Sequence, residues 1–216
     1  MYRPKVLIAD DYALLRAAFQ KLLEQNCEVV GEVADGRALL EAAPKLRPDI
    51  ILMDVAMPLL NGLDAGRQLK RIMPNVRLIF LTASEDPDVA REAFHIGALG
   101  YVVKNSAASE LSQAVHEAMC GRPYLTPLIP ENLADLLRWE PHESKTRKDL
   151  TARQTEVLQL LAEGYSMKQV ASFLRVTPRT VAFHKYRLME GLGLKNNAGL
   201  IQFAMKHGLA SAPARR

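Results

Sequence analysis

The sequence predicts an α/β fold, a doubly wound five-stranded parallel sheet, followed by a small all-α helix-turn-helix domain. Three observations predict it. Five short apolar runs alternate with five stretches of helical periodicity between residues 5 and 119, the pattern of repeated βα units joined by short loops. The central run, Ile50 to Met53, is apolar without alternation, as a strand covered on both faces must be. Beyond Leu150 the apolar spacing is helical only, and two capping boxes open successive helices.

Length and composition fit this division. A chain of 216 residues accommodates two modest domains, and 49% hydrophobic content gives each a core. No stretch approaches the ~20 apolar residues of a membrane span. The opening MYRPKVLIADD has no apolar segment of h-region length before its first acids and reads as no signal peptide. Cys27 and Cys120 stand far apart without metal-ligand spacing, which fits a reduced, cytoplasmic setting. Charge is unevenly spread: residues 1–122 carry 14 basic against 16 acidic residues, and the remainder 14 against 8. A basic second half points to a nucleic-acid partner.

Taken in order, Lys5 to Ala9 is the first strand, running into Asp10 and Asp11. A helix follows, in which Leu14/Leu15, Ala18/Phe19 and Leu22/Leu23 repeat every four residues as one buried stripe. Cys27 to Val33 is a second strand and Arg37 to Lys45 a second helix. The central strand ends at Asp54, and Gly62 to Ile72 is the third helix. Arg77 to Leu81 is a fourth strand ending at Thr82. Asp86 and Pro87 open a fourth helix, with proline suited to its first position. Gly100 to Val103 is a fifth strand ending at Lys104, and Ser106 to Met119 a fifth helix.

The strand ends carry the chemistry. In an open parallel sheet the carboxyl ends share one edge, where ligands bind. Asp10, Asp11, Asp54, Thr82 and Lys104 all fall there. Each alone is an ordinary loop residue, but five together at one edge is an improbable coincidence. Three carboxylates held together repel unless a cation joins them. Oxygen donors without His or Cys suit Mg2+, which also accepts a phosphate oxygen. With an ammonium and a hydroxyl nearby, Asp54 is a candidate nucleophile for a phosphoryl group.

Residues 4 to about 120 resemble the CheY-like receiver domain of bacterial two-component response regulators. The resemblance rests on Asp10 and Asp11, Asp54 with Met57, Pro58 and Gly62, Thr82 and Ala83, and Gly100 and Tyr101 through Lys104. It implies that Asp54 is the phosphoacceptor and that Asp11, Asp54 and the Ala56 carbonyl bind Mg2+, with Asp10 supporting the metal through water. It implies further that Lys104 and Thr82 contact the phosphoryl oxygens and that Tyr101 is an aromatic switch. Asn105 stands where many receivers carry proline, and Ala56 has no polar side chain to manage an attacking water.

From Gly121 the pattern weakens. Tyr124 to Leu137 holds two prolines and then a short amphipathic helix, and residues 138–149 are polar and read as a linker containing Trp139 and His142. Thr151 with Gln154 and Ser166 with Gln169 are capping boxes. Val157, Leu158 and Leu161 form the first buried stripe, and Gly164 ends that helix. The second helix runs through Leu174, and three residues on, Thr177 caps a third with Pro178 at its first position. A short helix, a three-residue turn and a capped second helix are the signature of a helix-turn-helix, a pattern that helical hairpins without DNA function also show.

Residues 148–211 resemble the LuxR-type helix-turn-helix that ends NarL/FixJ response regulators, through LTARQTEVLQLLAEGYS, MKQVASFLRVTPRTVAFHKY and LGL at 192–194. The resemblance implies that a surface at Ala198 to Lys206 serves dimerisation. Met167, Ala182 and Phe183 depart from type. A 100° step from Pro178 puts Val181, Leu188 and Leu192 on the core face and Arg179, Phe183, Tyr186 and Glu190 outward. The candidate DNA-contacting set is Lys168, Thr177, Arg179, Thr180, Phe183, Lys185, Tyr186 and Arg187.

These readings divide the chain into a receiver at 4–120, a join at 121–147 and a DNA-binding domain at 148–213. The expected function is a transcription factor of the cytoplasm. A sensor histidine kinase is its phosphodonor, double-stranded DNA its target, and a homodimer its phosphorylated form. It is not expected to be an enzyme, although the receiver assists transfer to its own Asp54. The alternative is a phospho-switched regulator whose helical domain grips a protein instead of DNA.

Overall fold

In a computed structural model of the chain, the described residues are 2–130, 132, 135, 150–207, 209 and 210. They form two compact units, one built on a sheet and the other on helices.

The sheet contains β1 (Lys5–Ala9), β2 (Glu28–Val33), β3 (Ile50–Asp54), β4 (Arg77–Thr82), β5 (Gly100–Val103) and β6 (Tyr124–Leu125), all parallel, in the order β2-β1-β3-β4-β5-β6. Chain order reverses between β1 and β3, so the crevice of this doubly wound sheet opens at their carboxyl ends. The helices α1 (Ala13–Leu23), α2 (Gly36–Leu46), α3 (Gly62–Ile72), α4 (Pro87–Ile96) and α5 (Ala107–Met119) follow the first five strands in turn. Every residue of β3 and β5 is buried, as their unbroken apolar runs require. On one face Val6, Ile8, Ile50, Leu52, Ile79, Leu81 and Val102 pack against Phe19 and Leu23 of α1 and Leu111 and Val115 of α5.

Two expectations for the sheet unit need correction. The sheet has six strands, because Tyr124–Leu125 continues it beside β5 through Tyr124 N–H to Leu99 O (3.0 Å) and Thr126 N–H to Tyr101 O (2.9 Å). In α1 only half of the doubled stripe is buried: Phe19 and Leu23 are enclosed, while Leu14 is 70% and Leu22 37% exposed. Adjacent residues diverge by about 100° around a helix, so both members of each pair cannot face one sheet. The short helix expected before residue 137 falls almost wholly outside the described residues, and Trp139 and His142 lie outside them.

The helical unit holds α6 (Ala152–Ala162), α7 (Met167–Leu174), α8 (Pro178–Gly191) and α9 (Asn197–Lys206). Both capping boxes form: Thr151 accepts from the Gln154 amide and Ser166 from the Gln169 amide, while each glutamine reaches back to its cap residue's N–H. Thr177 caps α8 through the Thr180 amide, with Pro178 at the first turn. The core joins Val157, Leu158 and Leu160 of α6 to Val170 and Leu174 of α7, Val181 and Leu188 of α8, and Leu200 of α9. Leu160 is buried where Leu161 was expected, and Leu161 is half-buried at the margin.

Candidate functional site

The acidic edge assembles from three strands. Asp10 follows β1 directly and is fully buried, Asp54 is the last residue of β3 with 4% exposure, and Asp11 faces solvent. One ligand oxygen from each of Asp10, Asp11 and Asp54 lies within 4.8 Å of the other two. Lys104, just past β5, reaches in between: its Nζ is 2.7 Å from Asp10 Oδ2 and 2.9 Å from Asp54 Oδ2. Its backbone N–H donates to Thr82 O at 2.7 Å, which ties the ends of β4 and β5 together.

The charges set the protonation states. Burial pushes the Asp54 carboxyl above the usual carboxylate range, with Lys104 opposing. Asp11 is also raised by the partial desolvation of its carboxylate, and the neighbouring Asp10 charge adds to it. Burial alone would lower Lys104, but Asp54 and Asp10 outweigh it, so the ammonium stays protonated well past neutral pH. The Ala56 N–H donates to the Asp54 carboxylate from the half-buried turn after β3. Three clustered carboxylates with oxygen donors alone fit a hard divalent cation such as Mg2+. A carboxylate beside a cation-holding cluster and a fixed ammonium is arranged to attack an electrophile rich in anionic oxygens.

Thr82 ends β4, buried, and its Oγ1 accepts from the Ser84 N–H at 3.0 Å. Tyr101 lies within β5 with its side chain fully enclosed, and burial raises its hydroxyl above the ordinary value. One residue beside the pocket, Arg16, was not singled out by sequence. Arg16 of α1 donates from Nη1 to the Asp10 carbonyl at 2.5 Å, and its Nε is 3.3 Å from Glu32 Oε2 on β2. Only a cation interrupting the apolar run ALLRAAF hinted at it.

In the helical unit the outward face of α8 carries Arg179, Phe183 (57% exposed), Tyr186 (70%), Arg187 and Glu190, as the helical step required. The Arg187 guanidinium lies 5.6 Å from the Phe183 ring centroid. Thr180, His184 and Lys185 are half-buried, Thr177 is exposed at the cap, and Lys168 is exposed on α7.

Residues 6–116 match the response regulator receiver domain, and residues 148–204 match the luxR family of bacterial regulatory proteins. The chain is 31% identical over 211 residues to the response regulator GacA of Pseudomonas aeruginosa, spanning 96% of this chain and 98% of that one. It is 32% identical over 213 residues to the oxygen regulatory protein NreC of Staphylococcus aureus, spanning 95% and 98%. Among solved structures it resembles RcsB of Salmonella enterica serovar Typhimurium bound to promoter rprA in the presence of phosphomimetic BeF3-. That match has a TM-score of 0.63 and 27% identity over 94% of this chain and 99% of that one. Alignment from end to end with such relatives, through both units in the same order, means that the chain belongs to the response regulators that join a receiver to a LuxR-type DNA-binding domain.

Proposed function

We propose that the protein is a two-component transcriptional regulator of the bacterial cytoplasm, switched by phosphorylation of Asp54 by a sensor histidine kinase. The observation that carries this reading is the Lys104 ammonium held against both Asp54 and Asp10 beside the third carboxylate. In this reading residues 4–120 receive the phosphoryl group, 121–147 connect, and 148–213 carry the output.

Asp10, Asp11, Asp54 and the Ala56 carbonyl hold Mg2+. When bound, the metal supplies the positive charge that lets two anions approach. Asp54 attacks phosphorus, the bond to the donor imidazole breaks, and the imidazole takes up a proton. The new group carries about two negative charges where a carboxylate carried one. Lys104 then pairs with the phosphoryl oxygens and Thr82 turns its hydroxyl toward them. Tyr101 follows, remodelling the face of α4, β5 and α5 on which a homodimer forms. Acetyl phosphate with Mg2+ should label the parent and not Asp54→Asn. Label on the variant, or label that survives a chelator, overturns the assignment.

For the output, α8 enters the major groove of double-stranded DNA with its N-terminal half nearest the bases. The similar RcsB, solved bound to promoter rprA, supports DNA as the target of this domain. Arg179 is the cation nearest that end, Phe183 packs on a thymine methyl, and Lys168, Thr177, Thr180, Lys185, Tyr186 and Arg187 flank them. Arg179→Ala should lose specific binding while remaining phosphorylatable. Phe183→Ala should relax preference by roughly 1 kcal/mol at a thymine position. Binding should fall steeply with salt as counterion release is suppressed. The exposed Phe183 and Tyr186 favour a second reading, a protein partner on this face. That reading takes over if both variants and rising salt leave duplex binding unchanged.

A further inference from the structure

We propose that Arg16 is a positioning residue of the acidic pocket, holding the peptide between Asp10 and Asp11 so that the Asp11 carboxylate is aimed for the cation. The inference rests on the Mg2+-dependent phosphoacceptor reading above.

The geometry is specific to one peptide plane. The Asp10 carbonyl belongs to the planar unit that ends at the Asp11 Cα, so fixing that oxygen fixes where Asp11 begins. Arg16 Nη1 holds it at 2.5 Å, and Nε is anchored at 3.3 Å to Glu32 on the neighbouring strand β2. The rest of Asp10 is already fastened. Its N–H donates to Val33 O at 3.2 Å, and its Oδ1 accepts from the Tyr12 N–H at 2.8 Å. Its Oδ2 faces Lys104. Asp11 is the outermost of the three carboxylates, and the Arg16 contact reaches it through the backbone. The Arg16 side chain is 17% exposed, so water competes weakly for its donors.

Charge and position predict opposite signs for this residue. A guanidinium beside a divalent cation repels it, so an arginine acting only as charge would weaken Mg2+ binding, and its removal would tighten it. An arginine acting through the peptide strengthens binding, as outer-shell groups do at metal sites, where their loss costs about 10–100-fold in affinity.

The test is Mg2+ titration of the full chain by calorimetry, comparing the parent with Arg16→Met, Arg16→Lys and Glu32→Gln. Arg16→Met should bind Mg2+ about tenfold more weakly. Arg16→Lys should recover most of that loss, because one donor still reaches the Asp10 carbonyl. At saturating Mg2+, acetyl phosphate should label Arg16→Met at close to the parental rate, since the defect lies in holding the cation. Affinity in Arg16→Met that equals or exceeds the parent's overturns the proposal, as does a labelling defect that saturating Mg2+ leaves in place. If Arg16→Met does not fold, Glu32→Gln decides, with weakening of about two- to threefold expected and unchanged affinity fatal. A parent that binds no Mg2+ removes the phosphoacceptor reading together with this one, whereas a binding parent with indifferent variants removes only this one.

Discussion

Gly62→Ala tests how tightly the phosphoacceptor strand is built into its surroundings. Gly62 opens α3, and its N–H donates to Val55 O at 2.8 Å, folding the helix start back against the end of β3. A Cβ there would lie 2.1 Å from the Asp54 carbonyl oxygen, 3.0 Å from its carbon and 3.1 Å from the Val55 Cα. Comfortable contacts start near 3.5 Å, so more than about 1 Å of movement is needed. All three neighbours are backbone, and no rotamer change relieves them. Overpacking costs about 1–3 kcal/mol, and a purely backbone clash belongs at the upper end. Alanine's better helix propensity returns at most about 1 kcal/mol. The net loss is about 2 kcal/mol, or roughly 4–8 °C in Tm for a chain of this size. Gly66→Ala is the control. Its Cβ would meet the far end of Phe80 at 2.9 Å, where a ring can shift, so its cost should be smaller. Urea denaturation compares the variants, and acetyl phosphate labelling reports whether Asp54 has moved. A Gly62→Ala variant as stable as the parent, or one less damaged than Gly66→Ala, refutes the reasoning.

Two further predictions concern the charges at the sheet edge. Asp11 has a raised pKa, from partial desolvation and then Asp10, so its contribution to stability is present below the ordinary carboxylate value and is lost as pH rises through the raised one. In the presence of chelator, Asp11→Asn should therefore melt above the parent at pH 7, with the gain vanishing below about pH 4; a gain that grows on acidification contradicts this. Lys104→Met removes an ammonium lying 2.7 and 2.9 Å from two carboxylates, and so should tighten Mg2+ binding while lowering the metal-free Tm. At 4 Å one such charge is worth about 1–4 kcal/mol toward another, so at least about fivefold tighter binding is expected by calorimetry, and equal or weaker binding counts against the arrangement.

What was legible in the sequence depended on the range of the interaction. The capping boxes at Thr151 and Ser166 formed as read, because cap and partner are three residues apart and close on themselves. The shared edge of Asp10, Asp54, Thr82 and Lys104 was legible because parallel βα repetition fixes which end of each strand meets the others. The second parallel-edge strand, β6, was not. Two residues carry no periodicity, and their place is set by amide contacts to Leu99 and Tyr101 more than twenty positions earlier. Arg16 was illegible for a related reason, since its partner is a main-chain carbonyl, which any residue type would supply. On α8 the exposed face followed from the buried Val181 and Leu188, but its ligand did not. An outward phenylalanine under a guanidinium suits a thymine methyl and a protein pocket equally well.

The sequence placed Lys104 at the edge, and the structure adds what its two ends hold. The ammonium spans Asp10 and Asp54, while the backbone N–H of the same residue is fixed to the end of β4 at Thr82. Tyr101 is two residues before Val103 on the same strand and is bonded through its carbonyl to Thr126, just beyond β6. Under the proposed reading, a dianion at Asp54 draws the Lys104 side chain away from Asp10 without freeing its main chain. The motion then begins in the side chains of Lys104, Thr82 and Tyr101 and passes to the face of α4, β5 and α5, with the strands left in register. Every residue of β3 and β5 is buried, so under that reading the strands flanking the pocket have little room to rearrange and the side chains at their ends move instead.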